Sequence, residues 1–201
     1  KGINVPHVKL GKDKLSIKEK KILNFIVENE VHFVGVSFVE SAKYLREIRK
    51  FSNTNNLKII AKIENQGGLD NMDEIILETD GVMIDRGDLS TETSFENIAL
   101  YQKQIVQKCN LLSKPVIVAT EMLNSMIENL FPTKAEVADI SNAVLDGASA
   151  IMLSGETAVG KNPVESIKVM HKICKAIEID NNKNFSVIKD NIPTAMGKAI
   201  S

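Results

Sequence analysis

Five short apolar or β-branched runs recur along the chain with helix-length stretches between them: Val31 to Phe38, Leu57 to Ile63, Gly81 to Ile84, Val116 to Ala119 and Ala150 to Leu153. Strand-length runs that are apolar throughout, instead of alternating apolar with polar, belong to strands covered on both faces. The intervening stretches supply the covering helices. That rhythm, at a repeat of roughly 25 to 35 residues, predicts an α/β fold built on a parallel sheet.

The helix starts agree. Ser16-Ile17-Lys18-Glu19 and Thr133-Lys134-Ala135-Glu136 have the form of capping boxes, in which a hydroxyl and a carboxylate satisfy orphan amides reciprocally. Asn162-Pro163 sets a capping residue before a proline at the first helical position, and Val164, Ile167, Met170, Cys174 and Ile177 then stack on one face. Phe25, Phe33 and Phe38 read as core, and so do Cys109 and Cys174 on their predicted helices.

Each run ends in residues that a buried strand would not choose. Ser37 closes the first, Lys62 and Glu64 the second, Arg86-Gly87-Asp88 the third, Thr120-Glu121 the fourth and Ser154-Gly155-Glu156 the fifth. In a doubly wound sheet the functional residues gather at one switch point. Polar groups at every strand end describe a TIM-type (β/α)8 barrel, which needs about eight strands to close. The expectation is therefore a partial barrel of about five strands over residues 1–180, a linker over 181–193 that starts at the polar break Asp180 to Asn184, and the start of another domain over 194–201.

Charge narrows the partners. Lys and Arg number 25 against 26 Asp and Glu, a net charge of -1, which argues against nucleic acid or a membrane surface as partner. No apolar run reaches the roughly 18 residues of a membrane span. The chain opens Lys1-Gly2-Ile3-Asn4 without an initiator Met or a secretory pattern and closes at Ser201 in a helical pattern, so an internal piece of a longer chain is expected. Two cysteines without metal-ligand spacing fit a reducing, cytoplasmic setting; an organellar copy stays open. His7, His32 and His171 share no spacing that would hold a metal.

The strand-end residues carry chemistry. Glu64 and Asp88 offer hard carboxylate oxygens from adjacent strand ends, a donor set suited to Mg²⁺ or Mn²⁺. Lys62 lies two residues before Glu64, so both side chains point to the same side of the strand, where a lysine can clamp a phosphoryl group in transfer. Gly87 leaves its backbone open to an anion, and Thr120 offers a hydroxyl for a substrate carboxylate or a proton relay.

Lys62-Ile63-Glu64-Asn65, Asp80 to Leu89, Lys114 to Leu123, Pro132 to Glu136, Asn142 to Gly147 and Ile151 to Ala158 together resemble the pyruvate kinase family, in order and at family-like spacing. The resemblance implies the later strands of the catalytic barrel and the start of the C-terminal domain. It implies phosphoryl transfer from phosphoenolpyruvate to ADP, giving pyruvate and ATP in glycolysis, by a homo-oligomer of tetramer type. Lys62 would stabilise the transferring phosphoryl group, Glu64 and Asp88 would bind the divalent metal, and Gly87, Asp88 and Thr120 would hold the substrate carboxylate. Ser37 and Arg86 would stand behind them, and the ligands of a K⁺ ion would lie outside this chain, which alone would be inactive.

The departures are local. The family usually has Ala-Arg-Gly-Asp-Leu-Gly where this chain has Asp85-Arg86-Gly87-Asp88-Leu89-Ser90. Asp85 adds a negative charge beside a metal carboxylate, and Ser90 replaces a glycine that permits a tight turn. Two functions follow from the resemblance: a working kinase, or a divergent non-catalytic paralogue serving as a structural or regulatory subunit. A different Mg²⁺-dependent barrel acting on pyruvate or phosphoenolpyruvate fits the carboxylates but not the ordered motifs.

Overall fold

The computed structural model describes residues 14–53 and 56–189. All five apolar runs form strands: β1 (Phe33–Val36), β2 (Lys58–Ile63), β3 (Gly81–Asp85), β4 (Val116–Ala119) and β5 (Ala150–Met152). They pair in parallel in the order β1-β2-β3-β4-β5. Each strand adds beside its predecessor, as the wall of a barrel is laid down; a doubly wound sheet would reverse its order part-way. Among the described residues β1 and β5 have one neighbour each, so the sheet is open, a part of a barrel.

Six helices share a compact unit with this sheet: α1 (Ile17–Glu28), α2 (Ala42–Ser52), α3 (Gln66–Asp70), α4 (Met72–Glu78), α5 (Arg86–Glu92) and α6 (Ile98–Leu111). The Ser16 capping box opens α1: the Glu19 amide donates to Ser16 Oγ at 3.2 Å, and the Ser16 amide donates to Glu19 Oε2 at 2.7 Å. Strand β2 alternates. Ile59, Ala61 and Ile63 are buried and face the side on which Leu45, Ile48 and Ile75 pack, while Lys58, Ile60 and Lys62 take the other face. Each fully buried branched aliphatic contributes about 1.5–3 kcal/mol, so this core fixes the register that aims Lys62.

A second compact unit holds α7 (Lys134–Leu145), α8 (Gly155–Ala158) and α9 (Pro163–Lys189). The second capping box opens α7, with the Thr133 amide donating to Glu136 Oε2 at 2.7 Å and the Glu136 amide to Thr133 Oγ1 at 3.2 Å. Pro163 opens α9 as expected, but its apolar stripe is displaced: Ser166 is fully buried, whereas Val164 and Ile167 are 60% and 55% exposed. The Ser166 hydroxyl can occupy that position because it donates to Asn162 O at 3.0 Å. The stretch expected as linker is helical as far as Lys189; residues 190–193 and 194–201 lie outside the described residues.

Two core assignments need correction. Phe25 and Phe33 are 63% and 65% exposed: Phe25 lies on α1, and Phe33, in register with exposed Lys58, takes the face of the sheet opposite the core. Cys109 is fully buried, and burial pushes its thiol up to about 12, so it packs and does not react. No described helix is long and apolar enough to cross a membrane.

Candidate active site

The parallel register brings the C-terminal ends of β2, β3 and β4 level, with Lys62 opposite Met83 and Asp85 opposite Ala119. Glu64 follows β2 on the face that carries Lys62, and it is fully buried. Lys62 Nζ forms ion pairs with Glu64 Oε1 and, at 3.1 Å, with Asp85 Oδ2. Glu64 Oε2 accepts the Phe38 amide at 2.6 Å. Asp85 Oδ1 accepts the Thr120 hydroxyl at 3.1 Å, and Thr120 Oγ1 accepts the Gly87 amide at 2.8 Å. An unbroken line of polar contacts thus runs from the end of β1 to the end of β4.

Thr120 and Glu121 turn the chain out of β4 with φ of 69° and 54°, in the left-handed region that costs a residue with a Cβ roughly 1–2 kcal/mol. Arg86 secures that turn. Its buried guanidinium donates to Thr120 O at 3.1 and 2.9 Å and to Glu121 O at 2.6 Å.

Of the residues singled out in the sequence, Lys62, Glu64, Gly87, Asp88 and Thr120 meet at one place, and Arg86 lies behind Thr120. Ser37 is exposed just beyond β1, and its neighbour Phe38 supplies the contact to Glu64. Gly87 is the second residue of α5, and its amide is engaged by Thr120. Ser90 sits inside α5 with its hydroxyl donating to Gly87 O at 2.9 Å, so the backbone there is helical and calls for no glycine turn. From the sequence Asp85 is only an added charge beside Asp88. Here it caps α5 and contacts both Lys62 and Thr120. Its replacement of the family alanine was the signal.

Electrostatics sets the charge states. Burial disfavours the Lys62 ammonium, but Glu64 and Asp85 outweigh it and hold its pKa above the ordinary lysine value. Burial raises the Glu64 carboxyl above the usual range; Lys62 and the Phe38 amide offset only part of this. Burial and then the charge of Asp85 raise Asp88 as well. Three carboxylates therefore crowd one ammonium. Glu64, Asp85 and Asp88 each offer an oxygen, all within 4.8 Å of one another. A hard, all-oxygen set with excess negative charge fits a Mg²⁺ or Mn²⁺ ion.

The family model described as "Pyruvate kinase, barrel domain" matches residues 1–167. The chain belongs to the pyruvate kinase family. It is 49% identical over 173 residues to pyruvate kinase of Debaryomyces hansenii, covering 85% of this chain and 34% of that protein. It is 51% identical over 172 residues to pyruvate kinase 2 of Saccharomyces cerevisiae, with the same 85% and 34% covered. A pyruvate kinase of Clostridium acetobutylicum matches at 45% over 188 residues, 92% of this chain and 39% of that protein. The chain thus spans little more than a third of the length of these curated relatives. The open five-stranded sheet is part of a pyruvate kinase barrel domain, with Lys62, Glu64, Asp85, Asp88 and Thr120 gathered at its strand ends.

Proposed function

We propose that this chain supplies phosphoryl-transfer groups to a Mg²⁺-dependent pyruvate kinase that moves the phosphoryl group of phosphoenolpyruvate to ADP. The observation that carries this reading is the Lys62 ammonium held between Glu64 and Asp85, two members of a three-carboxylate cluster that Asp88 completes. Glu64 and Asp88 would hold the divalent ion, which supplies charge neutralisation at the phosphoryl oxygens. Lys62 remains an ammonium, since its pKa lies above the ordinary value, and offers fixed positive charge where the phosphoryl oxygens gather negative charge. The backbone at Gly87 and Asp88 and the Thr120 hydroxyl would receive the substrate carboxylate, the Gly87 amide exchanging its contact with Thr120 Oγ1 for it. When the phosphoryl group leaves, the enolate of pyruvate takes a proton on its methylene carbon, and the Thr120 hydroxyl would relay it. The ligands of a K⁺ ion and the rest of the nucleotide site belong to sequence outside this chain.

The test is coupled pyruvate formation by the intact protein with Mg²⁺ and K⁺, beside its Lys62→Met variant. A loss on the order of 10³-fold, about 4 kcal/mol of transition-state stabilisation, is expected. An intact protein that binds Mg²⁺ and never turns over would instead be a non-catalytic paralogue.

A further inference from the structure

The residue that ties the two halves of this site together is one that the family pattern does not supply. An alanine at position 85, the usual family residue, could make none of the Asp85 side-chain contacts, the cap on the Asp88 amide included. Asp85 Oδ2 lies 3.1 Å from Lys62 Nζ, and Oδ1 accepts the Thr120 hydroxyl at 3.1 Å. Lys62 belongs to β2 and Thr120 follows β4, so the carboxylate on the last residue of β3 stands between them in the sheet. It is held there by its backbone, as the N-cap of α5, and its side chain is only 12% exposed.

The arrangement also sets the direction of a proton. A threonine hydroxyl has one hydrogen and two lone pairs. Donation to Asp85 Oδ1 leaves Thr120 Oγ1 two lone pairs: one accepts the Gly87 amide at 2.8 Å, and the second is the position for a proton exchanged with the substrate carbon. Asp85 thereby fixes which way Thr120 faces and, together with Glu64, where the Lys62 ammonium rests.

We propose that Asp85 is a positioning residue that locks Lys62 and Thr120 into one geometry, so that the phosphoryl end and the carbon end of the substrate are met together. This rests on the phosphoryl-transfer reading above. Charge and hydrogen bonding can be separated at this position. Asparagine keeps a carbonyl oxygen to accept from Thr120 but lacks the negative charge that holds Lys62.

The experiment compares Asp85→Ala and Asp85→Asn in the intact protein by two reactions. One is phosphoryl transfer from phosphoenolpyruvate to ADP. The other is exchange of the methyl hydrogens of pyruvate with D2O in the presence of Mg²⁺ and no ADP. In the exchange a C–H bond breaks, its proton passes by way of the Thr120 hydroxyl to solvent as the enolate forms, and a deuteron from D2O returns to the carbon by the same route, with no phosphoryl group moved. Asp85→Ala is expected to lower kcat of transfer and the rate of exchange each by about 10- to 100-fold, the cost of a small misplacement, with KM for phosphoenolpyruvate changed less than threefold, on the order of a binding contact left in place. Asp85→Asn is expected to restore exchange and leave transfer impaired.

Both rates unchanged in Asp85→Ala would overturn the assignment, as would exchange equally lost in Asp85→Asn and Asp85→Ala. Should Asp85→Ala fail to fold, Asp85→Asn decides alone: exchange kept with transfer lost supports the assignment, and both kept or both lost overturns it. No reaction of either kind by the unsubstituted protein would overturn the phosphoryl-transfer reading and this assignment with it, whereas normal turnover by Asp85→Ala overturns this assignment only.

Discussion

The Arg86 guanidinium spans from the first residue of α5 to the end of β4 and donates to the Thr120 carbonyl twice, at 3.1 and 2.9 Å. Thr120 and Glu121 both have left-handed backbones, and neither is a glycine or an asparagine. Such a turn persists only where its surroundings fix it. Replacing Arg86 by Met would leave two carbonyls without their charged donor. Charge-assisted hydrogen bonds of this kind contribute about 1.5–3 kcal/mol each in mutational series, and partial rescue by water lowers the sum. We expect Arg86→Met to destabilise the intact protein by about 2–3 kcal/mol and Arg86→Lys by about half as much, since lysine lacks the planar fork. Urea midpoints of the two variants check this, and equal midpoints for both and for the parent would remove Arg86 from the site's support.

Thr120 should matter through its hydroxyl and not through its methyl. Its oxygen accepts the Gly87 amide and its proton goes to Asp85. Thr120→Ala removes both contacts, and pyruvate formation should fall by about 10²-fold or more, the range of a lost proton-transfer group. Thr120→Ser should stay within about tenfold of the parent, as the hydroxyl chemistry is kept. A serine variant as poor as the alanine variant would point to packing by the γ-methyl instead.

Much of this arrangement is legible in the sequence, and the remainder is hidden for physical reasons. Strand β4 coincides with its apolar run, and β2 and β3 differ from theirs by one residue; β3 and β4 are buried almost throughout and β2 on one face, which leaves little choice of residue type. Strand β1 is shorter than the run from Val31 to Phe38, since an edge strand has partners on one side only. Lys62 and Glu64 can be read together because alternation in a strand puts residues two apart on one face. The link from Asp85 to Thr120 spans 35 residues of sequence, and only the register of β3 against β4 brings the two together. The turn at Thr120 and Glu121 carries no local signal, because the force that holds it comes from Arg86, on another element.

Removal of a carboxylate should be visible in metal binding without any turnover. Glu64 and Asp88 are the two residues proposed as divalent ligands, and Glu64 is fully buried. Titration of the intact protein with Mn²⁺ should show binding that weakens on the order of 100-fold in Glu64→Gln, at or above the cost of losing a partner behind a ligand. Unchanged Mn²⁺ affinity would place the ion elsewhere.

Asp80 gives a pH dependence remote from the site. At the start of β3 its Oδ2 accepts the Ile59 amide at 2.8 Å and pairs with Arg49 Nη2 at 2.8 Å, while Lys58 lies 3.8 Å from Oδ1. Burial alone would raise its pKa, but the Ile59 amide, Arg49 and Lys58 outweigh burial and hold it below the usual carboxylate value. The unfolded chain, with a pKa of about 3.9, then binds the proton more readily than the folded one. Stability from this group is therefore complete above that value and is lost as pH falls through the lower, folded one. Asp80→Asn should cost about 1–3 kcal/mol at pH 7, and the difference from the parent should close at about pH 3 and below. Denaturation midpoints at both pH values decide it; a difference that stays constant with pH would mean that the Asp80 charge contributes nothing.

The 201-residue chain produced by itself should not turn over phosphoenolpyruvate and should self-associate. Among the described residues its sheet has five strands where a closed barrel needs about eight, and β1 and β5 each have a neighbour on one side. At the β1 edge Phe33 is 65% exposed. On the other face of β1 an apolar groove of about 190 Å³ is lined by Ile22, Ile26 and Val34 among others. Exposed backbone donors next to exposed apolar surface are a template for pairing with a second copy. Sedimentation of the isolated chain should therefore show species larger than 22.1 kDa that grow with concentration. Adding the missing part of the barrel as a separate polypeptide should shrink those species and restore some turnover. A monomeric isolated chain that makes pyruvate would show that the residues gathered at β2, β3 and β4 suffice without a closed barrel.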